Sequence, residues 1–267
     1  MSERKPPRIL AIAGSDSSGG AGIQADIKTV TMLGGYAMSA ITAVTAQNTL
    51  GVQEVEALPA KFVWKQVASC LDDIGADAVK IGMLGGEDIA RGVLKALDGF
   101  EGPVVFDPVM VATSGSALAD EATIAIFGEL MARATLVTPN LPELEALLAR
   151  SIADRDVLSQ AAHDLSEKFG TAVLAKGGHL EGERVTDILV DPAGRTASFE
   201  DAKIVSEHTH GTGCTLSSAV ATLLGHGQSM EHAVRLARQF VRRAIEAAPG
   251  FGGGHGPLGH QSVRSLD

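Results

Sequence analysis

The residues best suited to chemistry stand in short polar or glycine-rich runs, each following an apolar stretch of strand character. His210-Gly211-Thr212-Gly213-Cys214-Thr215 opens onto a helical pattern, LSSAVATLLGHG. Gly211 and Gly213, flanking Thr212 at a helix mouth, can gather successive backbone N–H groups around one point, an anion hole suited to a phosphoryl group in transit. Cys214 falls in the first turn of that helix, where the positive end of the dipole favours thiolate. Asp107 in FDPVM, Asn140 and Glu143 in TPNLPE and Lys176 in KGGH also follow or end strand patterns. Their oxygens suit Mg²⁺, which binds through few protein ligands plus phosphates, and a lysine can neutralise a transferring phosphate. Taken singly they have plainer roles: Asp107-Pro108 as a turn, Asn140 as a helix cap, Glu143 as a first-turn acid.

A third run, GSDSSGGAG over residues 14–22, lies between the strand pattern RILAIA and a helix beginning near Gly22. Its glycines let backbone approach a ligand closely. The run Gly20 to Ala25 satisfies G-x-G-x-x-A, yet no acid occurs between Asp26 and Glu54 to bind a ribose, which disfavours a dinucleotide-dependent oxidoreductase. A phosphate-binding P-loop is excluded too, because Ile27 stands where the glycine before Lys28-Thr29 is required. The pairs His208/His210 and His255/His260 show no acidic partners of the kind a metal site needs, so no zinc is expected.

These runs must be positioned by a scaffold. Apolar strand runs (RILAIA, AVKIGM, PVVFDP, ATLVTP, TAVLAK) alternate with helical patterns such as 61–74. Strands apolar throughout, alternating with helices, predict a doubly wound, mainly parallel sheet in an α/β/α sandwich, with ligands at the carboxyl ends of its strands. Residues 180–203 read as a hairpin turning at Asp191-Pro192-Ala193-Gly194. The tail GFGGGHGPLGH is too glycine-rich for regular structure and by itself reads as a frayed terminus. With no repeat or linker, residues 1–267 read as one domain.

The net charge of −10 argues against a nucleic-acid binder. Arg235, Arg238, Arg242 and Arg243 are local exceptions, read as the solvated face of an amphipathic helix over 230–248. No run is long and apolar enough for a membrane span, and the short basic start, Met1 to Arg8, does not make a signal peptide, so the expectation is a cytoplasmic protein. Two cysteines are too few for a disulfide framework, and Cys70 reads as a small buried hydrophobe.

Across AGSDSSGGAGIQAD, VTAQNT, KIGML, FDPVM, TPNLPE, KGGH, THGTGCTLSSA and GHGPLGH, in this order from about Ile9 to the tail, the sequence resembles the hydroxymethylpyrimidine and phosphomethylpyrimidine kinases of thiamine biosynthesis, a ribokinase-like branch close to the pyridoxal kinases. The resemblance implies a doubly wound sheet without a separate lid domain, ATP with Mg²⁺, and commonly a homodimer. It places Cys214 where sugar kinases of the superfamily carry a catalytic aspartate, with Gly211, Thr212, Gly213 and Lys176 around the transferring phosphate. Asn140, Glu143, Lys176 and Thr212 fall on the nucleotide side, and Asp107, Asn140 and Glu143 at the metal. Gly14, Asp26, Gln47, Met83 and Val109 fall on the substrate side. Gln47 carries both an amide donor and a carbonyl acceptor, matching the ring nitrogen and exocyclic amine of an aminopyrimidine, a pair that pyridoxine lacks. The pyridoxine or pyridoxal kinase of the same branch is the alternative, and a noncatalytic pyrimidine sensor would have no need of Asp107, Lys176 and the anion hole together.

Overall fold

A computed structural model describes residues 5–111 and 118–263; the first four residues of the basic N-terminal segment lie outside it. Among the described residues nine strands form one sheet in the order β3-β2-β1-β4-β5-β6-β7-β8-β9. The strands are β1 (Arg8–Asp16), β2 (Tyr36–Asn48), β3 (Gly51–Ala57), β4 (Ala78–Ile81), β5 (Val104–Phe106), β6 (Leu136–Val137), β7 (Ala172–Ala175), β8 (Arg184–Val190) and β9 (Thr196–Ala202). Pairings from β2 through β7 are parallel, and β3, β8 and β9 join antiparallel. The sheet is therefore mixed but mostly parallel, and β8 and β9 are the hairpin expected around Asp191–Gly194.

Alternate strand residues feed two apolar layers, as the two-residue pleat requires. Leu10, Ile12, Val79, Ile81, Val104, Phe106 and Val137 face α2 (Ala60–Asp73), α3 (Glu87–Ala96), α4 (Glu121–Arg133), α5 (Leu141–Leu148) and α6 (Arg155–Phe169). Ile9, Ala78, Val105, Leu136 and Leu174 face α7 (Thr212–Gly225) and α8 (Met230–Glu246), and α1 (Gly22–Met32) packs beside α7. Burial on both faces explains why these strands read as unbroken apolar runs. Cys70 packs against the first layer, where burial raises its thiol pKa.

Chain order reverses at β1, which has β2 on one side and β4 on the other. A switch point of this kind opens a crevice beyond the strand ends. The loops after β1, β4, β5, β6 and β7, with the start of α7, all border it. Gly14 sits where the β1–β2 register shifts, a bulge that turns the end of β1 toward this crevice.

The glycine-rich tail departs from the expectation of a frayed end. Leu258 and Val263 are buried with Phe240 and Ala244 of α8, and His260 is 1 % exposed. Backbone bonds fasten it at intervals: His255 N to Thr49 O, His210 N to Gly256 O and Gly259 N to Ala244 O. At Gly254 and Gly259 neighbouring backbone comes too close for a side chain.

Candidate active site

A cavity of about 680 Å³ occupies the crevice. Its wall contains Gly14, Gln47, Met83, Asp107, Val109, Asn140, Glu143, Lys176, Gly211, Thr212, Gly213 and Cys214, so of the residues singled out in the sequence only Asp26 is missing.

At its centre is the mouth of α7. Gly211 caps the helix in the left-handed region at φ 88°. The N–H of Thr215 bonds Gly211 O, and that of Thr212 turns back to Thr209 O. The N–H groups of Gly213 and Cys214 lie in the first turn, where helix geometry gives no intrahelical acceptor. Asp107 and Lys176 stand across from Gly213: a Cβ built there would lie 3.3 Å from Asp107 Oδ2 and 3.5 Å from Lys176 Nζ.

Asp107 follows β5 directly and is 2 % exposed, its Oδ1 accepting from Lys176 Nζ at 2.9 Å and Thr138 Oγ1 at 2.9 Å. Burial alone would lower the Lys176 pKa, but Asp107 and Glu143 outweigh it and raise it, keeping the ammonium charged. Asn140 and Glu143 form a reciprocal capping box on α5: Asn140 Oδ1 accepts from Glu143 N at 2.9 Å, and Glu143 Oε2 accepts from Asn140 N at 2.8 Å. The plainer roles of these two residues are thus realised, with the Asn140 side-chain oxygen taken up by the cap. Burial pushes the Glu143 carboxyl up to about 7, with Lys176 pulling it down and Asp107 pushing it up. When Glu143 is ionised, two buried carboxylates stand beside one ammonium, an excess of negative charge that suits a hard cation completed by water and phosphate oxygens.

Two expectations are corrected here. Burial raises the Cys214 thiol to about 11, against the pull of the Lys80 ammonium, so the side chain is a neutral thiol near pH 7 despite its place on the helix dipole. Asp26 does not reach the cavity. It is fully buried beneath it, bound to Lys80 Nζ at 2.9 and 3.0 Å and to Ser218 Oγ at 2.7 Å. Lys80, on β4 and also fully buried, is kept charged chiefly by Asp26 against the cost of burial. Its partner lies 54 residues away in sequence, and nothing local in KIGM announces it.

Elsewhere on the cavity wall, Asp16 organises the loop after β1. Its Oδ1 accepts from Ser18 N and Oγ, and its Oδ2 from Gly20 N and Ala21 N. His210 Nε2 lies 2.8 Å from the same Oδ2. Burial raises the Asp16 carboxyl, but the bonds from His210, Ser18 and Ala21 together outweigh it and hold it at about 2. A carboxylate only accepts, so Nε2 carries the proton of His210. Gln47 Nε2 lies 3.3 Å from that nitrogen, while Gln47 Oε1 accepts from Thr45 Oγ1 at 3.2 Å. The Gln47 side-chain amide is held between His210 and Thr45 and brings both a donor and an acceptor to the cavity wall.

The far wall carries Arg238 and Arg242. Arg238 is not on a solvated face as expected. It is 6 % exposed, paired with Asp187 and with Asp201 Oδ2 at 2.7 Å, because the β8–β9 hairpin covers that side of α8. Burial and the neighbouring Arg242 lower it to about 10. Asp187 Oδ1 in turn accepts from Gly177 N at 2.9 Å, fixing the loop after Lys176. His179 also lines the cavity, its pKa lowered by burial, Lys176 and Lys203. Sequence reasoning missed Asp16 with His210, Lys80 with Asp26 and Asp187 with Arg238, because each partner lies far off in sequence.

A family model described as phosphomethylpyrimidine kinase matches residues 16–259. The chain is 45 % identical over 256 residues to a hydroxymethylpyrimidine/phosphomethylpyrimidine kinase of Streptomyces coelicolor, covering 96 % of this chain and 94 % of that protein. It is 44 % identical over 254 residues to the thiamine biosynthesis bifunctional protein ThiED of Geobacter sulfurreducens, covering 94 % of this chain but spanning only about half, 52 %, of that relative's length. The crystal structure of the Bacillus subtilis pyridoxal kinase in its ADP complex superposes with a TM-score of 0.89 at 33 % identity, covering 97 % of this chain and 99 % of that one.

Proposed function

Since this chain belongs to the phosphomethylpyrimidine kinase family, we propose that it transfers the γ-phosphoryl group of ATP to the hydroxymethyl oxygen of 4-amino-5-hydroxymethyl-2-methylpyrimidine, and a second to the resulting monophosphate. The observation that carries the proposal is the convergence of the α7 mouth, Lys176 and Asp107 on one point of a cavity whose opposite wall presents Gln47.

The acceptor oxygen attacks in line, its proton passing to an oxygen of the transferring phosphoryl group, the O–P bond to the β-phosphate breaks as the new one forms, and ADP leaves. Charge spreads over the three equatorial oxygens, where the N–H groups of Gly213 and Cys214 and the Lys176 ammonium are already fixed. Thr212 adds its hydroxyl at the same edge. Asp107 and Glu143 would hold Mg²⁺ among the phosphates, where the ion neutralises developing charge; Asn140 keeps Glu143 in place through the cap. Holding Lys176 at 2.9 Å, Asp107 also fixes the ammonium before nucleotide arrives. A neutral Cys214 thiol is a weak base, and a loose phosphoryl transition state asks little of one, so Cys214 acts chiefly by lending its backbone N–H and packing against the acceptor.

The Gln47 amide N–H groups meet the pyrimidine ring nitrogen, and its carbonyl, held by Thr45, meets the exocyclic amine. Gly14, Met83 and Val109 supply the remaining wall. A second reading, pyridoxine or pyridoxal phosphorylation, is favoured by the similarity to the Bacillus subtilis pyridoxal kinase. Measuring kcat/KM for hydroxymethylpyrimidine and for pyridoxine with ATP and Mg²⁺ decides between them. The expected ratio favours the pyrimidine by ~10²-fold or more, because pyridoxine leaves polar atoms of the half-buried Gln47 unpaired under bound ligand. Equal values would move the chain to the pyridoxal kinase side, and no phosphorylation of either would remove the proposal. The same reading takes residues 1–267 as one cytoplasmic kinase domain without a separate lid, acting as a homodimer; the single sheet supports the first part.

A further inference from the structure

The glycine-rich segment after α8 contributes no side chain to the cavity wall, yet it touches both halves of the site. At one end it lies on the turn between β2 and β3, immediately after Gln47. His255 N donates to Thr49 O at 2.9 Å. A Cβ on Gly254 would sit 2.8 Å from the Thr49 carbonyl carbon and closer still to its oxygen, and one on Gly252, at φ 84°, would run into the Thr49 side chain. In the middle, Gly256 O accepts from His210 N, and Pro257 pairs with His210 as an isolated bridge. At the other end His260, 1 % exposed, places Nε2 2.8 Å from Thr215 Oγ1 in the first turn of α7. Gly259 is pressed onto Ala247 and donates to Ala244 O, anchoring this end on α8. The His260 ring is held further by the Leu258 backbone and by the Phe240 ring, whose centroid lies 6.3 Å away.

We propose that residues 252–260 are a positioning strap, which sets the distance between the Gln47-bearing end of β2 and the anion hole of α7, with Gly254 and His260 as its anchor points. The inference deepens the kinase reading of the same site. Misplacing an acceptor relative to the transferring group by about 1 Å, through changes remote from the chemistry, can cost ~10²-fold in rate. The strap is short, has close backbone contact at both ends and spans the two elements that hold acceptor and phosphoryl group.

The test uses the full chain with Gly254→Ala, His260→Leu and the conservative His260→Gln. Gly254→Ala is expected to raise KM for the pyrimidine alcohol about tenfold while leaving KM for ATP within about twofold, since it moves the β2 end alone. His260→Leu is expected to lower kcat about tenfold, and His260→Gln, which can still bond Thr215, to recover most of it. Losses matching only the fraction of unfolded protein, or KM values for both substrates rising together, would overturn the strap. A second arm needs no turnover: amide hydrogen exchange should quicken in residues 44–50 in Gly254→Ala and in residues 210–216 in His260→Leu. Quickening confined to 252–260 would also overturn it. An unmodified protein that phosphorylates no pyrimidine alcohol would defeat the functional proposal and leave the exchange arm to decide the strap.

Discussion

Gly211→Ala is the sharpest test of the anion hole. Gly211 is left-handed at φ 88°, and a Cβ there would lie 2.9 Å from the Gly20 carbonyl carbon and 3.2 Å from Ala21 Cα, with the Gly20 oxygen nearer still. Carbon atoms pack at about 3.5–4.0 Å, so the α7 mouth and the Gly20 loop must part by about 1 Å. Two effects then separate. The left-handed backbone costs about 1–2 kcal/mol for any L-residue, and the displacement of the N–H groups lowers kcat by ~10²-fold. Gly227→Ala is the matched control: its φ is 82°, and nothing lies within 4 Å of its Cβ position. The control should show the stability loss in urea denaturation with kcat unchanged, whereas Gly211→Ala should show both losses with KM for ATP within about threefold. If kcat of Gly211→Ala fell within about threefold of the control, the close approach of α7 to the Gly20 loop would not matter to catalysis and the argument would fail.

Cys214→Ala should lower kcat by only about tenfold, less than Gly211→Ala, and alkylation of Cys214 by iodoacetamide, followed by peptide mass spectrometry, should keep accelerating to at least pH 10, as expected of a thiol near 11. Lys80→Met should cost about 3–5 kcal/mol in denaturant unfolding by leaving Asp26 buried without its cation, and Asp26→Asn in the same chain should restore most of it; an unchanged midpoint would show that the pair contributes nothing. Acid should act in two windows. The folded pKa of Asp16, about 2, lies below its ordinary 3.8, so its contribution is full above pH 4 and is lost as pH falls toward 2. His260, lowered from 6.5 to about 4 by burial and Lys28, stays neutral in the fold, so stability should decline as pH falls from 6.5 toward 4. Denaturation at a series of pH values should show the lower decline flattened in Asp16→Asn and the upper one in His260→Gln.

The central strands were legible because both faces of the sheet are covered, which makes a parallel strand apolar throughout. Position did the rest: Asp107, Lys176 and the α7 mouth follow strands and so meet at one end of the sheet. What escaped were properties fixed by remote partners. Arg238 sits on a helix whose spacing gives it an outward face, yet Asp187 and Asp201, brought back by a hairpin, enclose it. The ionisation of Cys214 followed from a local rule, the helix dipole, and was reversed by burial that local sequence does not record. Lys80 lay unremarked inside the strand run AVKIGM, and the tail looked like a loose end. Their partners lie 54 residues away for Lys80 and, for the tail, on α7 and the β2–β3 turn.

The Lys80–Asp26 pair also bears on how the chain is made. Both partners emerge early from the ribosome, but Ser218 and the α7 helix that cover them come about 140 residues later. At 5–20 residues per second that is an interval of roughly 7–30 s, in which β1 and β4 have one bare apolar face and a charge pair open to water. Hydration keeps the pair from sealing an incomplete sheet, since burying it without its cover would cost several kcal/mol per ion. Closure of this face therefore waits on α7, the same segment that carries Gly211 to Cys214 into the cavity wall.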